Sequence, residues 1–89
     1  MMTFSYLEFL NKPTHENIVF VRKTAGLLQK DAAQLAGISF DSYKSWETKE
    51  ESAKARKPTI QTWNLYLYEL EARRLGYDCL LSVFSAVNA

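Results

Sequence analysis

The sequence predicts an all-α domain, because apolar residues recur at helical spacing and no segment shows the alternation typical of a β-strand. Only three glycines and two prolines interrupt the 89 residues, so few positions break a helix. Hydrophobic residues make up 47% of the chain, which is enough for a packed core. A chain of this length forms one domain, here residues 1–89.

Two short helices open the predicted fold. Residues 4–10 place Phe4, Leu7 and Leu10 at helical spacing, and this segment ends before Pro13. Thr14 is a natural N-cap, so the next helix is expected over residues 15–24.

The central segment predicts two further helices joined by a three-residue turn. The first covers residues 29–36 and ends at Gly37, and Ser39 can cap the second, over residues 40–48. Tyr43 and Trp46 lie on one face of the second helix. Together with Ile38, they should hold this helix against the first. The residues expected to point outward as a narrow ridge are Phe40, Asp41, Lys44 and Ser45.

The last third predicts a polar loop over residues 49–58 and two more helices, which brings the total to about five or six. Thr59 can cap a long helix that ends near Gly76. Its apolar stripe consists of Ile60, Trp63, Leu67 and Leu70, with Tyr66 beside it. Asp78 can cap an apolar C-terminal helix, which is more apolar than a small monomer usually exposes.

Residues 60–89 are therefore expected to form the interface of a homodimer. The residues assigned to this interface are Trp63, Tyr66, Leu80, Val83 and Phe84. For Trp63 and Tyr66 the alternative is that they complete the core of the single chain.

The sequence lacks the residues that several classes of function require. Cys79 is the single cysteine and His15 the single histidine, so Cys and His cannot assemble a four-ligand metal site, and we expect no metal or cofactor. No base orients the thiol, and no paired carboxylates or glycine-rich phosphate loop occur, so we expect no enzyme. No apolar run approaches the ~20 residues of a membrane span, and no signal peptide opens the chain. We expect a cytoplasmic protein without membrane contact, and no small-molecule ligand is evident.

Residues 22–47 carry the pattern that bears on function. In chain order it reads Arg22, Gly26-Leu27, Gln29, Ala33, Gly37 and Trp46-Glu47. This pattern resembles the lambda-repressor-like family of helix-turn-helix regulators, also called the Cro/cI or XRE family. The resemblance implies the fold of that family, with the helix-turn-helix motif at about residues 28–48. More narrowly, the chain looks like small plasmid and phage regulators, including KorC-like and anti-CRISPR-associated repressors. That likeness rests on Ala25-Gly-Leu, Asp31-Ala-Ala, Trp46-Glu and Trp63-Asn-Leu-Tyr-Leu.

The resemblance implies that the helix at 40–48 enters the major groove of double-stranded DNA. Gln29 would then meet a phosphate at a helix N-terminus, and Arg22 would form an internal ion pair with Glu47. Residues placed to contact base edges are Ser39, Phe40, Asp41, Ser42, Lys44 and Ser45. The net charge of +1 says little, but the segment 44–57 is locally basic. Its phosphate-neutralising residues would be Lys49, Lys54, Arg56 and Lys57.

Two features depart from the family pattern. Leu28 stands where the family usually has Ser, Thr or Asn, so the helix at 29–36 lacks a side-chain cap worth ~1 kcal/mol. Asp41 sets a negative charge on the reading face, and the loop at 49–58 is longer than in many relatives.

The resulting prediction is a repressor that binds a palindromic operator as a dimer, with its two reading helices about 34 Å apart. The alternative is a protein-interaction module, such as an antitoxin or assembly factor, built on the same scaffold. Salt dependence distinguishes the two, because phosphate contacts weaken as salt is added and protein contacts of this kind need not.

Overall fold

The computed structural model describes residues 4–49 and 51–77, which form a 3-10 helix, four α-helices and no strand. The all-α prediction is therefore confirmed for this part of the chain. The elements are the 3-10 helix Tyr6–Phe9, α1 His15–Thr24, α2 Gln29–Ala36, α3 Phe40–Glu47 and α4 Ile60–Arg74. The opening segment differs from expectation in being a single 3-10 turn, and the predicted C-terminal helix lies outside the described residues.

Side-chain caps set where three of the α-helices begin. Thr14, Ser39 and Thr59 each accept a hydrogen bond from the backbone N–H three residues later, at 3.2, 3.1 and 3.1 Å. Leu28 makes no such bond, as its side chain dictates, yet α2 still begins at Gln29. The contacts of α2 with α3 and α4 stabilise this helix in the absence of a side-chain cap.

The core lies where α4 packs across the other helices. Its largest fully buried side chains are Trp63, Tyr43, Tyr66, Ile18, Leu67 and Val21. Trp63 is 0% exposed and Tyr66 1%, so both side chains lie in the core of the single chain, as the alternative expected, and neither is on its surface. Ile60 is 45% exposed despite its place in the predicted stripe, because it is the first residue of α4 and burial begins one turn later.

Hydrogen bonds fasten the N-terminal segment to α4. The indole Nε1 of Trp63 donates to the carbonyl of Phe9 at 2.8 Å. The Asn11 N–H donates to Oδ1 of Asn64 and the Asn64 amide donates back to Oδ1 of Asn11, both at 2.9 Å. Asn11 has a φ of 65°, a left-handed conformation that asparagine tolerates better than most residues.

Glu71 fastens the same segment closer to its start. One carboxylate oxygen accepts the Tyr6 N–H at 3.0 Å, and Arg74 pairs with the carboxylate at 2.6 Å. The hydrogen bond from Arg74 lowers the pKa of Glu71 against the opposing effect of burial, and the Tyr6 N–H lowers it further. The carboxylate is therefore charged where it meets the N-terminal segment.

Gly37 shapes the connection between α2 and α3. Its φ is 73°, and its N–H donates to the carbonyl of Gln34 while the Ile38 N–H donates to that of Ala33. These two bonds form a Schellman motif, which ends α2 and redirects the chain within three residues.

Replacing Gly37 by alanine should lower the free energy of unfolding by about 1 kcal/mol, because an L-residue resists the left-handed conformation. A Cβ at this position would meet no atom within 4 Å, so the loss reflects the backbone alone. Urea denaturation measures it, and Gly37→Asn is the matched control with a smaller loss. An alanine variant as stable as the parent chain would contradict this account of the turn.

Candidate nucleic-acid interface

A buried ion pair joins α1 to the last residue of α3. Nε of Arg22 lies 2.6 Å from Oε2 of Glu47, and Nη2 donates to Oε1 at 3.0 Å. The two side chains are only 15% and 6% exposed. Nη1 of Arg22 also donates to the carbonyl of Leu27, at 2.9 Å. The bidentate geometry fixes both the position and the orientation of the carboxylate.

Gln29 joins this pair from the start of α2. Its Nε2 donates to Oε1 of Glu47 at 3.1 Å, so Arg22, Gln29 and Glu47 form one group, the Glu47 cluster. The Gln29 amide, which is predicted to meet a DNA phosphate, donates one of its hydrogens to Glu47 in the unbound chain. The reason is that a buried carboxylate needs donors for its lone pairs, and Gln29 supplies one.

The Glu47 cluster stays charged at neutral pH. Burial alone would raise the pKa of Glu47, but the hydrogen bonds from Arg22 and Gln29 outweigh it and hold this pKa below its ordinary value. The pKa of Arg22 is raised, chiefly by its bond to Glu47. Burial raises the pKa of nearby Tyr66 to about 12 and that of Tyr43 further still, so both phenols remain neutral.

The outer face of α3 carries the expected ridge. We define the α3 ridge as Phe40, Asp41, Lys44 and Ser45. Phe40 is 47% exposed, Asp41 and Lys44 are exposed, and Ser45 is half-buried. Nζ of Lys44 lies 3.3 Å from Oδ1 of Asp41 and 4.7 Å from the centroid of the Phe40 ring. Such an exposed pair contributes little to stability, so Lys44 can exchange its partners for a ligand at small cost.

The serines of α3 are more engaged than the sequence indicates. Ser39 accepts the Ser42 N–H as a cap, and its hydroxyl donates to Oγ of Ser42 at 2.9 Å. The Ser45 hydroxyl donates to the carbonyl of Ser42. Ser39 and Ser45 must therefore release these local bonds before they can donate to another molecule, whereas the Ser42 hydroxyl keeps its hydrogen available.

A basic loop, residues 51–58, lies against the end of α3. The Arg56 N–H donates to the carbonyl of Ser45 at 3.0 Å, which ties the loop to the helix. The guanidinium of Arg56 is held by the carbonyls of Ala53 and Ala55, each at 2.8 Å. The exposed cations of the loop are Lys54, Arg56 and Lys57, and Lys49 is a further exposed cation between α3 and the loop.

The structure does not describe the remaining residues that the sequence assigns to the dimer interface. Leu80, Val83 and Phe84 lie outside residues 4–49 and 51–77. Within those two ranges no group of His, Cys, Asp and Glu side chains could hold a metal ion. No helix in the same ranges has the length and apolar character to cross a bilayer.

The chain matches no model of a protein family, no curated protein and no solved structure with which it was compared. Its function therefore has to be inferred from the α3 ridge, the Glu47 cluster and the basic loop.

Removing one side of the ion pair should be costly. Arg22→Ala leaves the Glu47 carboxylate buried with Gln29 as its remaining side-chain donor, and should lower the free energy of unfolding by about 3 kcal/mol. The double variant Arg22→Met, Glu47→Met removes both charges and should be more stable than Arg22→Ala. Urea denaturation of the single and double variants measures the coupling. A double variant as unstable as Arg22→Ala would show that no uncompensated charge causes the loss.

The contribution of Glu47 should disappear in acid. Its pKa in the folded chain lies below the ordinary 4.5, so the stabilisation is complete above that pH and is lost as pH falls through the folded-state value. The difference in unfolding free energy between the parent chain and Glu47→Gln should therefore shrink below pH 4.5. Denaturation over a range of pH tests this, with Glu71→Gln as a second carboxylate variant. A difference that stays constant into acid would disprove the assignment.

Proposed function

We propose that the chain is a sequence-specific DNA-binding regulator of transcription, in which α2 and α3 form a helix-turn-helix of the lambda-repressor-like fold. One observation carries the proposal: α3 exposes a narrow ridge on one face while its other face is fixed by Tyr43, Trp46 and the Glu47 cluster. A helix that enters the major groove needs this combination of an exposed reading face and a rigid support.

The exposed groups of the α3 ridge suit base edges. Lys44 can donate to guanine, Asp41 can accept from the amino group of cytosine, and Phe40 can contact the methyl group of thymine. In the unbound chain Lys44 and Asp41 satisfy each other, so base contacts replace an interaction that already matches their charges.

Phosphate contacts come from two other places. The basic loop and Lys49 supply exposed cations next to α3, which favour any nearby polyanion. The first N–H groups of α2 have no side-chain cap, because Leu28 precedes them. These N–H groups are free to contact a phosphate beside the Gln29 amide, which donates one of its two Nε2 hydrogens to Glu47.

We also propose that the chain binds a palindromic operator as a homodimer and represses by occluding a promoter. The outer face of α4 supports a dimer, since Leu65, Tyr68 and Leu75 lie on one side of it and are 57%, 39% and 59% exposed. We therefore assign the interface on α4 to these three exposed residues instead of the buried Trp63 and Tyr66. The apolar sequence that begins at Cys79 follows shortly after Leu75.

Selection of bound fragments from random duplex DNA should enrich palindromes with half-sites about one helical turn apart, because two α3 helices of a dimer then face the same side of the duplex. For the enriched sequence, Lys44→Glu should weaken binding on the order of tenfold or more. Lys23→Glu makes the same charge change on α1, outside the α3 ridge and the basic loop, and should have a much smaller effect.

Fluorescence anisotropy at several salt concentrations measures the affinity, which should fall steeply as salt rises. Enrichment of single half-sites would refute the dimer but retain DNA binding. Failure to enrich any sequence at any salt concentration would refute the DNA-binding proposal and leave the protein-interaction module.

A further inference from the structure

A cavity of about 270 Å³ opens where α1, α3 and the basic loop meet. We call it the α1–α3 cavity. Its lining residues are His15, Ile18, Trp46, Thr48, Ala55, Arg56 and Lys57. They come from the first turns of α1, the end of α3 and the second half of the loop, so three separate elements have to be in place for the cavity to exist.

The walls of this cavity are of two kinds. Ile18, Trp46 and Ala55 supply an apolar surface, and Arg56 and Lys57 supply positive charge. The Arg56 guanidinium is already oriented by the carbonyls of the loop, so little side-chain entropy remains to be lost when it meets an anion. An apolar surface next to a fixed cation suits a ligand that is apolar at one end and negatively charged at the other.

His15 adds a polar group that has no partner. Its Nδ1 is buried and makes no hydrogen bond to any residue that the structure describes. Because Nδ1 is closed off from solvent, the part of His15 that lines the cavity is the remainder of its ring, and a ligand meets that surface and not Nδ1. The nearby carboxylates of Glu16 and Glu51 line a different cavity, which shares only His15 with this one.

We infer that the α1–α3 cavity binds a small organic carboxylate with an aromatic or compact aliphatic body. The carboxylate pairs with Arg56 and Lys57, and the body packs on Ile18, Trp46 and the His15 ring. The cavity volume limits the ligand to about the size of one substituted aromatic ring.

Occupation of the cavity has a consequence for DNA, which rests on the proposed function. Arg56 and Lys57 serve both sites, as partners of the carboxylate and as neutralisers of phosphate. A bound carboxylate cancels part of that charge, so ligand and DNA weaken each other's binding by the same factor. The ligand would act as an inducer that releases a repressor from its operator.

NMR titration of the isotope-labelled chain tests the site without DNA. The probes are 4-hydroxybenzoate, its neutral analogue 4-hydroxybenzamide, and inorganic phosphate. For 4-hydroxybenzoate we expect saturable shifts at the lining residues, with a Kd on the order of 1 mM or lower. The other two probes should bind at least about tenfold more weakly, because each lacks one of the two required ends.

Two variants locate the ligand. Ala55→Leu fills the cavity and should abolish the shifts, and Arg56→Ala should weaken binding by about tenfold. Lys54→Ala removes a cation of the same loop that does not line the cavity, and should leave binding unchanged.

Three results would overturn the inference. The first is the absence of any saturable shift up to about 10 mM 4-hydroxybenzoate. The second is equal binding of the amide, which would remove any role for the cations. The third is equal binding of inorganic phosphate, which would mean an adventitious ion only.

The coupling between ligand and DNA is tested by measuring operator affinity with and without 4-hydroxybenzoate at constant ionic strength. An effect in the parent chain that is lost in Ala55→Leu supports it, and an unchanged affinity with the ligand bound overturns the coupling alone. Absence of DNA binding by the unliganded chain counts against the proposed function instead.

Discussion

The contact between Arg22 and Glu47 determines how α3 sits on the rest of the chain. It spans α1 and α3, Gln29 connects it to α2, and all three side chains are largely removed from water. Burying two charges costs much of the energy that their attraction returns, so such a pair adds less to net stability than its short distance suggests. Its main effect is geometric, because a bidentate contact tolerates few orientations. The outward direction of the α3 ridge follows from that constraint.

The use of polar groups inside the chain limits which groups remain for a partner. Gln29 is needed by Glu47, and Ser39 and Ser45 are needed by the backbone of α3. Lys44 and Asp41 are in contact only with groups on the exposed surface, so they can be recruited at little cost. Recognition by α3 would therefore depend on a few charged side chains and Phe40, with its serines in a secondary role.

Local signals made much of the fold predictable. The caps at Thr14, Ser39 and Thr59 and the stop at Gly37 act within a few residues, so the starts of α1, α3 and α4 and the end of α2 follow directly from the sequence. Long-range contacts have no such signal. The partnership of Asn11 with Asn64, across 53 positions, and the inward turn of Gln29 depend on neighbours that only the folded chain supplies. For the same reason, the apolar pattern of α4 does not predict which of its apolar residues are buried in the core and which stay exposed. Leu65 is one that stays exposed.

Two supports act on the end of α3, and they differ in how easily a ligand could change them. The Glu47 cluster holds Glu47 through buried, charged hydrogen bonds, so disturbing it leaves an unpaired charge in the core. The basic loop is joined through the Arg56 N–H to the carbonyl of Ser45, and its cations face solvent. A ligand in the α1–α3 cavity meets the loop cations and leaves the cluster untouched. Under the proposed function, such a ligand would alter the charge presented to DNA while the α3 ridge keeps its orientation. Regulation of DNA affinity would then be separate from the support of α3.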